Sequence, residues 1–140
     1  MKLNTLGRHI LVEYYNCNTE TMANPELIDK YMCQAAREAQ ATIVTSVFHH
    51  FDPWGVSGAV IISESHLTIH TWPEYGYAAV DLFTCGDIDP WAGFDYLEKA
   101  FEAERSESVE MPRGMVEKIR KYHPHPEQLG EITYKPEGVI

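Results

Sequence analysis

The chain has 140 residues, 44% of them hydrophobic and 23% charged, the balance of one ordinary soluble domain large enough for a real core. A formal net charge of −10, with His taken as neutral, argues against nucleic-acid binding, which needs a basic face; it fits a cationic ligand, though an acidic surface mainly serves solubility. No apolar run approaches the roughly 20 residues of a membrane span, residues 1–8 lack the apolar centre of a signal peptide, and Cys17, Cys33 and Cys85, without a CxxC pair, fit free thiols in a reducing cytoplasm.

Residues 8–16 read as a first strand, with Ile10, Val12 and Tyr14 on one face and Leu11, Glu13 and Tyr15 on the other. Asn24-Pro25-Glu26 is a helix start: a capping Asn, Pro at the first helical position and an acid in the first turn. Leu27, Ile28, Tyr31, Met32, Ala35 and Ala39 then give an apolar stripe that predicts a helix over 25–40, with Cys33 packing beside it. Residues 42–51 read as a second strand, Asp52-Pro53-Trp54-Gly55 as a turn, and 58–63 as a third strand. A polar stretch follows and is broken at residues 72–76. Residues 77–85 form a fourth strand. Asp89 and Pro90 open a second helix with Trp91, Phe94, Leu97 and Phe101 as its buried stripe. A short strand at 108–111 is ended by Pro112-Arg113-Gly114. Residues 116–122 read as a short helix in an otherwise irregular tail, 115–140, that includes His123-Pro124-His125-Pro126 and residues 134–138.

The order β-α-β-β-β-α-β predicts a single α+β domain over 1–140: a two-layer sandwich of one largely antiparallel sheet with two helices on one face. Both faces of its strands carry apolar residues. Ala78, Val80 and Leu82 alternate with Ala79, Asp81, Phe83 and Cys85, and Ile43, Val47 and Phe51 with Val44 and Phe48. Two helices cover one face only, so a second copy is expected on the other, giving a homodimer with four layers, α/β/β/α.

Chemistry concentrates between Ser63 and Tyr75, where hydroxyls, two histidines and two carboxylates interrupt what should remain an apolar strand. Four readings compete. One is structural, with edge-strand hydroxyls and satisfied histidines. A metal site would use His66 and His70, with His49, His50 and Cys85 as further ligands, but on a strand residues four apart lie about 13 Å from each other. A hydrolase would use Ser65, His70 and Asp81, yet no G-x-S-x-G elbow is present. The fourth is a self-cleaving Glu64-Ser65 pair. The Ser65 hydroxyl attacks the preceding carbonyl, the acyl group moves from nitrogen to oxygen, and β-elimination followed by loss of nitrogen to water leaves a pyruvoyl group. That chemistry needs a strained peptide, a proton acceptor and an oxyanion donor.

The run from Ile62 to Gly76, ISESHLTIHTWPEYG, closely resembles the processing site of the bacterial and archaeal S-adenosylmethionine decarboxylase proenzymes. Gly7-Arg8-His9, Ala41-Thr42-Ile43-Val44, Phe48-His49, Gly55-Val56-Ser57-Gly58 and Asp81-Leu82-Phe83-Thr84-Cys85-Gly86 extend the likeness over about residues 6–103. The resemblance implies cleavage between Glu64 and Ser65 into a β chain, 1–64, and an α chain, 65–140, whose Ser65 becomes the pyruvoyl cofactor. No metal or pyridoxal phosphate is expected. It implies that Ser57 and His70 assist processing, that Cys85 protonates the substrate carbon in turnover, that Phe51 and His70 lie against the adenine, and that Glu74 binds the ribose hydroxyls. The pyruvoyl carbonyl would form a Schiff base with S-adenosylmethionine and accept the electrons released with CO2. The product would serve spermidine synthesis. The family is dimeric, with its active site at the interface and the same four layers. Alternatives are a pyruvoyl decarboxylase of ornithine or arginine, and a non-catalytic homologue that keeps the fold.

Overall fold

Six antiparallel strands form one sheet in the order β2-β3-β4-β5-β1-β6 in a computed structural model that describes residues 4–132. The strands are β1 (Thr5–Tyr15), β2 (Ile43–His50), β3 (Val56–Ile62), β4 (Ser65–Trp72), β5 (Tyr77–Thr84) and β6 (Arg105–Met115). The helices are α1 (Thr19–Met22), α2 (Pro25–Glu38), α3 (Pro90–Ala100) and α4 (Val116–Tyr122). Among the described residues no helix is long and apolar enough to cross a membrane.

Both long helices start as the sequence dictates. The Asn24 side chain accepts from the Leu27 N–H with Pro25 behind it, and Asp89 accepts from the Ala92 N–H ahead of Pro90. The helices lie on one side of the sheet, where Ile28, Met32, Ala35, Phe94, Leu97 and Phe101 meet Ile10, Val12, Val60, Leu67, Ile69 and Val80 in one buried cluster. Gly93 lets α3 approach α2 closely, since a Cβ there would lie 2.9 Å from the Ala35 carbonyl oxygen. The Tyr14 hydroxyl donates to the Phe94 carbonyl at 2.8 Å, and burial raises its pKa. Truncating a fully buried aliphatic such as Leu97 or Ile69 to Ala costs roughly 2–5 kcal/mol.

The α+β expectation, with one antiparallel sheet and its helices on one side, agrees with this architecture. Several elements differ from it. The polar stretch is itself a strand, β4, entered by a turn at residues 63–64. Leu67, Ile69 and Thr71 point into the core while His66, Thr68, His70 and Trp72 line the open face. Its polarity is period-2 alternation and not a polar intrusion into the core. In β2 a bulge between Ile43 and Thr45 puts Ile43 and Val47 on opposite faces, so the alternation expected through them fails. Trp91 is 41% exposed and does not belong to the buried stripe of α3. The expected short strand at 108–111 is the middle of β6, which runs through Pro112. Because β6 is an edge strand, a missing N–H there costs no ladder bond. The four-residue α1, capped by Asn18, has no counterpart in the expected elements. Residues 115–140 are not uniformly irregular: α4 forms as expected, and Pro126–Gln128 makes a 3-10 turn. Residues 134–138 lie outside the described residues.

On the face away from the helices, Leu11, Val47, Ile61, Trp72, Val109 and Met111 are all at least 40% exposed. That face also carries every polar residue with a candidate chemical role at the strand centres.

Candidate active site

The first cluster forms where β3 turns into β4. Ser63 donates its N–H to the Thr42 carbonyl at 2.8 Å. The Glu64 side chain, 2% exposed, turns inward and accepts from the Thr42 N–H at 3.1 Å. The Glu64 carbonyl points the other way. It accepts from the Cys85 N–H at 2.9 Å, with the Cys85 thiol at 3.4 Å from the same oxygen. Cys85 arrives there because Ser65 pairs with Thr84 at the end of β5, so the next residue meets the turn. Ser65 has φ of +145°, a region that costs a non-glycine residue on the order of 1–3 kcal/mol. Its Oγ lies 3.9 Å from Cys85 Sγ. The three requirements of serine self-cleavage read from the sequence were strain, an oxyanion donor and a proton acceptor. This end of β4 supplies the first two in the form of the Ser65 backbone and the Cys85 N–H.

The second cluster is at the other end of the same strand. Ser57 and His70 are direct cross-strand partners, and Ser57 Oγ lies 2.7 Å from His70 Nδ1. They open onto a cleft of about 310 Å³ lined by Phe51, Trp54, Ser57, His70, Trp72 and Glu74. Thr71, buried beneath, accepts from the Val56 N–H at 2.8 Å and donates to the Met22 carbonyl at 2.7 Å. Gly55 permits this closure, since a Cβ would fall 2.3 Å from the Thr71 carbonyl oxygen. Phe51 is 53% exposed at the cleft mouth, and Glu74 is exposed on the 3-10 turn Pro73–Tyr75. Phe51, Ser57, His70 and Glu74 therefore meet. Trp54 and Trp72 line the same cleft and had escaped the sequence reading, although Trp72 shares the parity of His70 on β4.

The two clusters do not meet within one chain. Ser65 and His70 are five rises apart on an extended strand, about 16 Å. Ser57 and His70 cannot touch the Glu64–Ser65 bond of their own chain.

A third cluster lies between them on the open face. Asp81, opposite Thr68 in the β4–β5 register, accepts from Thr68 Oγ1, from His9 Nε2 at 2.6 Å and from His66 Nε2 at 3.3 Å. Burial pushes its carboxyl up, but these hydrogen bonds outweigh that and hold it below the usual carboxylate range. Asp81 is thus bonded to His66 and His9 and not to His70, which removes it from a Ser65-His70-Asp81 hydrolase arrangement. His66 and His70, paired in the metal reading, belong to different clusters. Ligand atoms of His9, His66 and Asp81 lie within 4.8 Å of one another. Arg113 Nη1, however, lies 3.0 Å from His9 Nδ1, and a guanidinium only donates. The proton of His9 is therefore on Nε2, the atom facing Asp81, which makes that nitrogen a donor and not a metal ligand.

The model of a family described as S-adenosylmethionine decarboxylase matches residues 8–114. A protein of Thermotoga maritima named S-adenosylmethionine decarboxylase proenzyme is 59% identical over 118 residues, covering 84% of this chain and 91% of its own length. One of the same name from Acidithiobacillus ferrooxidans is 53% identical over 116 residues, covering 82% and 87%. The crystal structure of the adenosylmethionine decarboxylase from Aquifex aeolicus superposes with a TM-score of 0.75 at 35% identity, over 81% of this chain and 94% of that one. The match spans both ends of β4, from the Ser57–His70 pair to Glu64, Ser65 and Cys85, and the chain belongs to the S-adenosylmethionine decarboxylase family.

Proposed function

We propose that the chain is a proenzyme that cuts its own Glu64–Ser65 bond and then decarboxylates S-adenosylmethionine. The observation that carries this reading is the contact of the Glu64 carbonyl oxygen with the Cys85 N–H, beside a serine held at positive φ. Ser65 Oγ attacks the Glu64 carbonyl carbon and gives its proton to a base. Negative charge collects on the oxygen that already faces the Cys85 N–H. Collapse breaks the C–N bond, the nitrogen takes a proton, and an ester remains. Loss of the Ser65 α-proton expels Glu64 as a carboxylate. Tautomerisation and hydrolysis release ammonia and leave a pyruvoyl group on residue 65. This group supplies an electron sink for decarboxylation, and neither a metal nor pyridoxal phosphate is required.

The base is the imidazole of His70, assisted by Ser57, from a second copy. The 16 Å separation within one chain, together with the apolar open face, supports a homodimer in which two sheets pack face to face with β4 strands antiparallel. Each Ser65 end then meets the partner's Ser57–His70 cleft, and each of the two sites is built from both copies. Phe51 and His70 face the adenine, Glu74 accepts from the ribose hydroxyls, and the exposed aromatic surface of the cleft suits the sulfonium cation. Cys85, near Ser65 Oγ, delivers the proton to the substrate carbon once CO2 has left. The three free thiols fit a reducing cytoplasm, where the product would feed spermidine synthesis.

Denaturing mass spectrometry of the purified protein tests the cut, and CO2 release from S-adenosylmethionine, ornithine and arginine tests the substrate. Expected are fragments 1–64 and 65–140, the latter with a blocked pyruvoyl terminus, and CO2 from S-adenosylmethionine alone. A stable 16.0 kDa chain overturns the processing reading. Turnover of only ornithine or arginine overturns the substrate.

A further inference from the structure

Self-cleavage creates a mechanical problem. The reactive end of the α chain is cut loose at the residue that must afterwards hold still. On the β-chain side the solution is visible: the buried Glu64 carboxylate is tied to the Thr42 N–H, so the severed end stays docked under the sheet. On the α-chain side the backbone ladder begins at Ser65 itself, which loses its covalent neighbour and with it the pairing to Ile62 through a continuous hairpin. The first intact residue is His66.

His66 points to the open face, opposite in sense to the Glu64 side chain, and its Nε2 reaches Asp81 Oδ2 at 3.3 Å. Asp81 is a fixed post. It stands mid-sheet on β5, bonded also by Thr68 and by His9 at 2.6 Å. His9 is itself fixed by Arg113, which also lies 5.7 Å from the centre of the Phe83 ring. Phe83 in turn packs against both His9 and His66, with centroids 5.5 and 5.9 Å away. Five residues on four strands thus converge on the side chain that follows the scissile bond. None of them lines the cleft of its own chain, and the Glu64 carbonyl bonds to Cys85 and not to them.

The geometry points to Asp81 as a positioning residue that acts through His66 to hold the new α-chain terminus, and with it the electrophile, against Cys85 after the cut. This rests on Ser65 being the source of the electrophile. Asp81 lies outside the cleft of its own chain and bonds to neither Ser65 nor Cys85. The Cys85 contacts that polarise the Glu64 carbonyl do not involve it, so its loss leaves cutting intact and degrades turnover. A misplacement of about 1 Å in a reacting group lowers the rate by up to about a hundredfold.

The test uses the full chain and its Asp81→Asn, His66→Leu, His66→Gln and Asp81→Asn/His66→Leu variants. Cleavage is read by denaturing mass spectrometry, and kcat and KM by CO2 release. Expected are complete cleavage, kcat lowered about ten- to a hundredfold and KM within about twofold for Asp81→Asn and His66→Leu. The double variant is no worse than either single one, because the two residues act in series. His66→Gln, which keeps a donor within reach of Asp81, recovers most of kcat. Additive losses, a cleaved Asp81→Asn with full kcat, or a variant that stays uncut each overturn the proposal. Should Asp81→Asn not fold, equal kcat for His66→Leu and His66→Gln overturns it alone. A wild-type chain that is never cut refutes the assignment of Ser65 instead, so the two failures are distinct.

Discussion

At one end of β4 the chemistry is buried and strained; at the other it is open and relaxed. Around Ser65 the turn is clamped on three sides by the Thr42 backbone, the Cys85 N–H and the Thr84 ladder. Around His70 the reverse holds. Ser57 and His70 pair at 2.7 Å in antiparallel register beside a cleft of about 310 Å³ with exposed aromatics and an exposed carboxylate. On the proposed reading one end breaks the Glu64–Ser65 bond, and the other receives the nucleoside and moves protons. An eight-residue strand keeps them apart within one chain, and the proposed site therefore draws its opposite end from a second copy.

The sharpest way to break that comparison is to remove the Ser65 hydroxyl. Ser65→Ala is expected to remain a single 16.0 kDa chain with no measurable CO2 release, since neither ester nor electrophile can form. His70→Ala is expected to be nearly as impaired. The informative experiment combines them. In a mixed dimer of Ser65→Ala with His70→Ala, one site loses both groups and the other keeps both. Random co-assembly therefore restores roughly a quarter of wild-type activity. If each chain used its own Ser65 and His70, the mixture would stay inactive.

A smaller effect separates the two duties of Cys85. Its backbone N–H holds the Glu64 carbonyl, and its thiol is the group proposed to protonate the substrate carbon. Cys85→Ala keeps the N–H, so mass spectrometry is expected to find processing at least partly preserved. Loss of a general acid lowers kcat about 10²–10⁴-fold. A variant that is uncut, or one with full kcat, contradicts this division.

How much of this was legible beforehand differs between the ends. The Ser65 end was legible as chemistry because Glu64-Ser65 and its polar neighbours stand out against Val60-Ile61-Ile62. Its strand was not read as one, because five polar residues in eight hid the alternation of Leu67, Ile69 and Thr71. The caps at Asn24 and Asp89 and the apolar stripe of α2 rest on local rules and survive intact. What failed depended on non-local facts. The bulge in β2 follows from its register with β3, and the length of β6 from pairing with β1 a hundred residues away. The convergence of His9, His66 and Asp81 needs three strands in register, and no spacing in one sequence encodes it. The separation of Ser65 from His70 was implicit in strand geometry once β4 is recognised.

The smallest expected effect concerns the cluster between the two ends. The Asp81 carboxyl is held below its usual range, because hydrogen bonds from Thr68, His9 and His66 outweigh the opposing effect of burial. A carboxyl with a depressed folded pKa binds its proton less readily when folded than when unfolded, so its ionisation favours the fold. That contribution is present above the unfolded value of about 3.9 and is lost as pH falls through the lower folded value. Asp81→Asn is therefore expected to destabilise most near pH 7, by about 1 kcal/mol or a Tm loss of about 2–4 °C. The gap should close as pH falls below the unfolded value of about 3.9 and through the lower folded value, where wild-type Asp81 itself becomes neutral. Thermal melts of the uncut Ser65→Ala chain, with and without Asp81→Asn, keep self-cleavage out of the measurement. A gap that stays constant with pH would mean that shape rather than charge holds His66, and His66 would then owe its position to packing against Phe83.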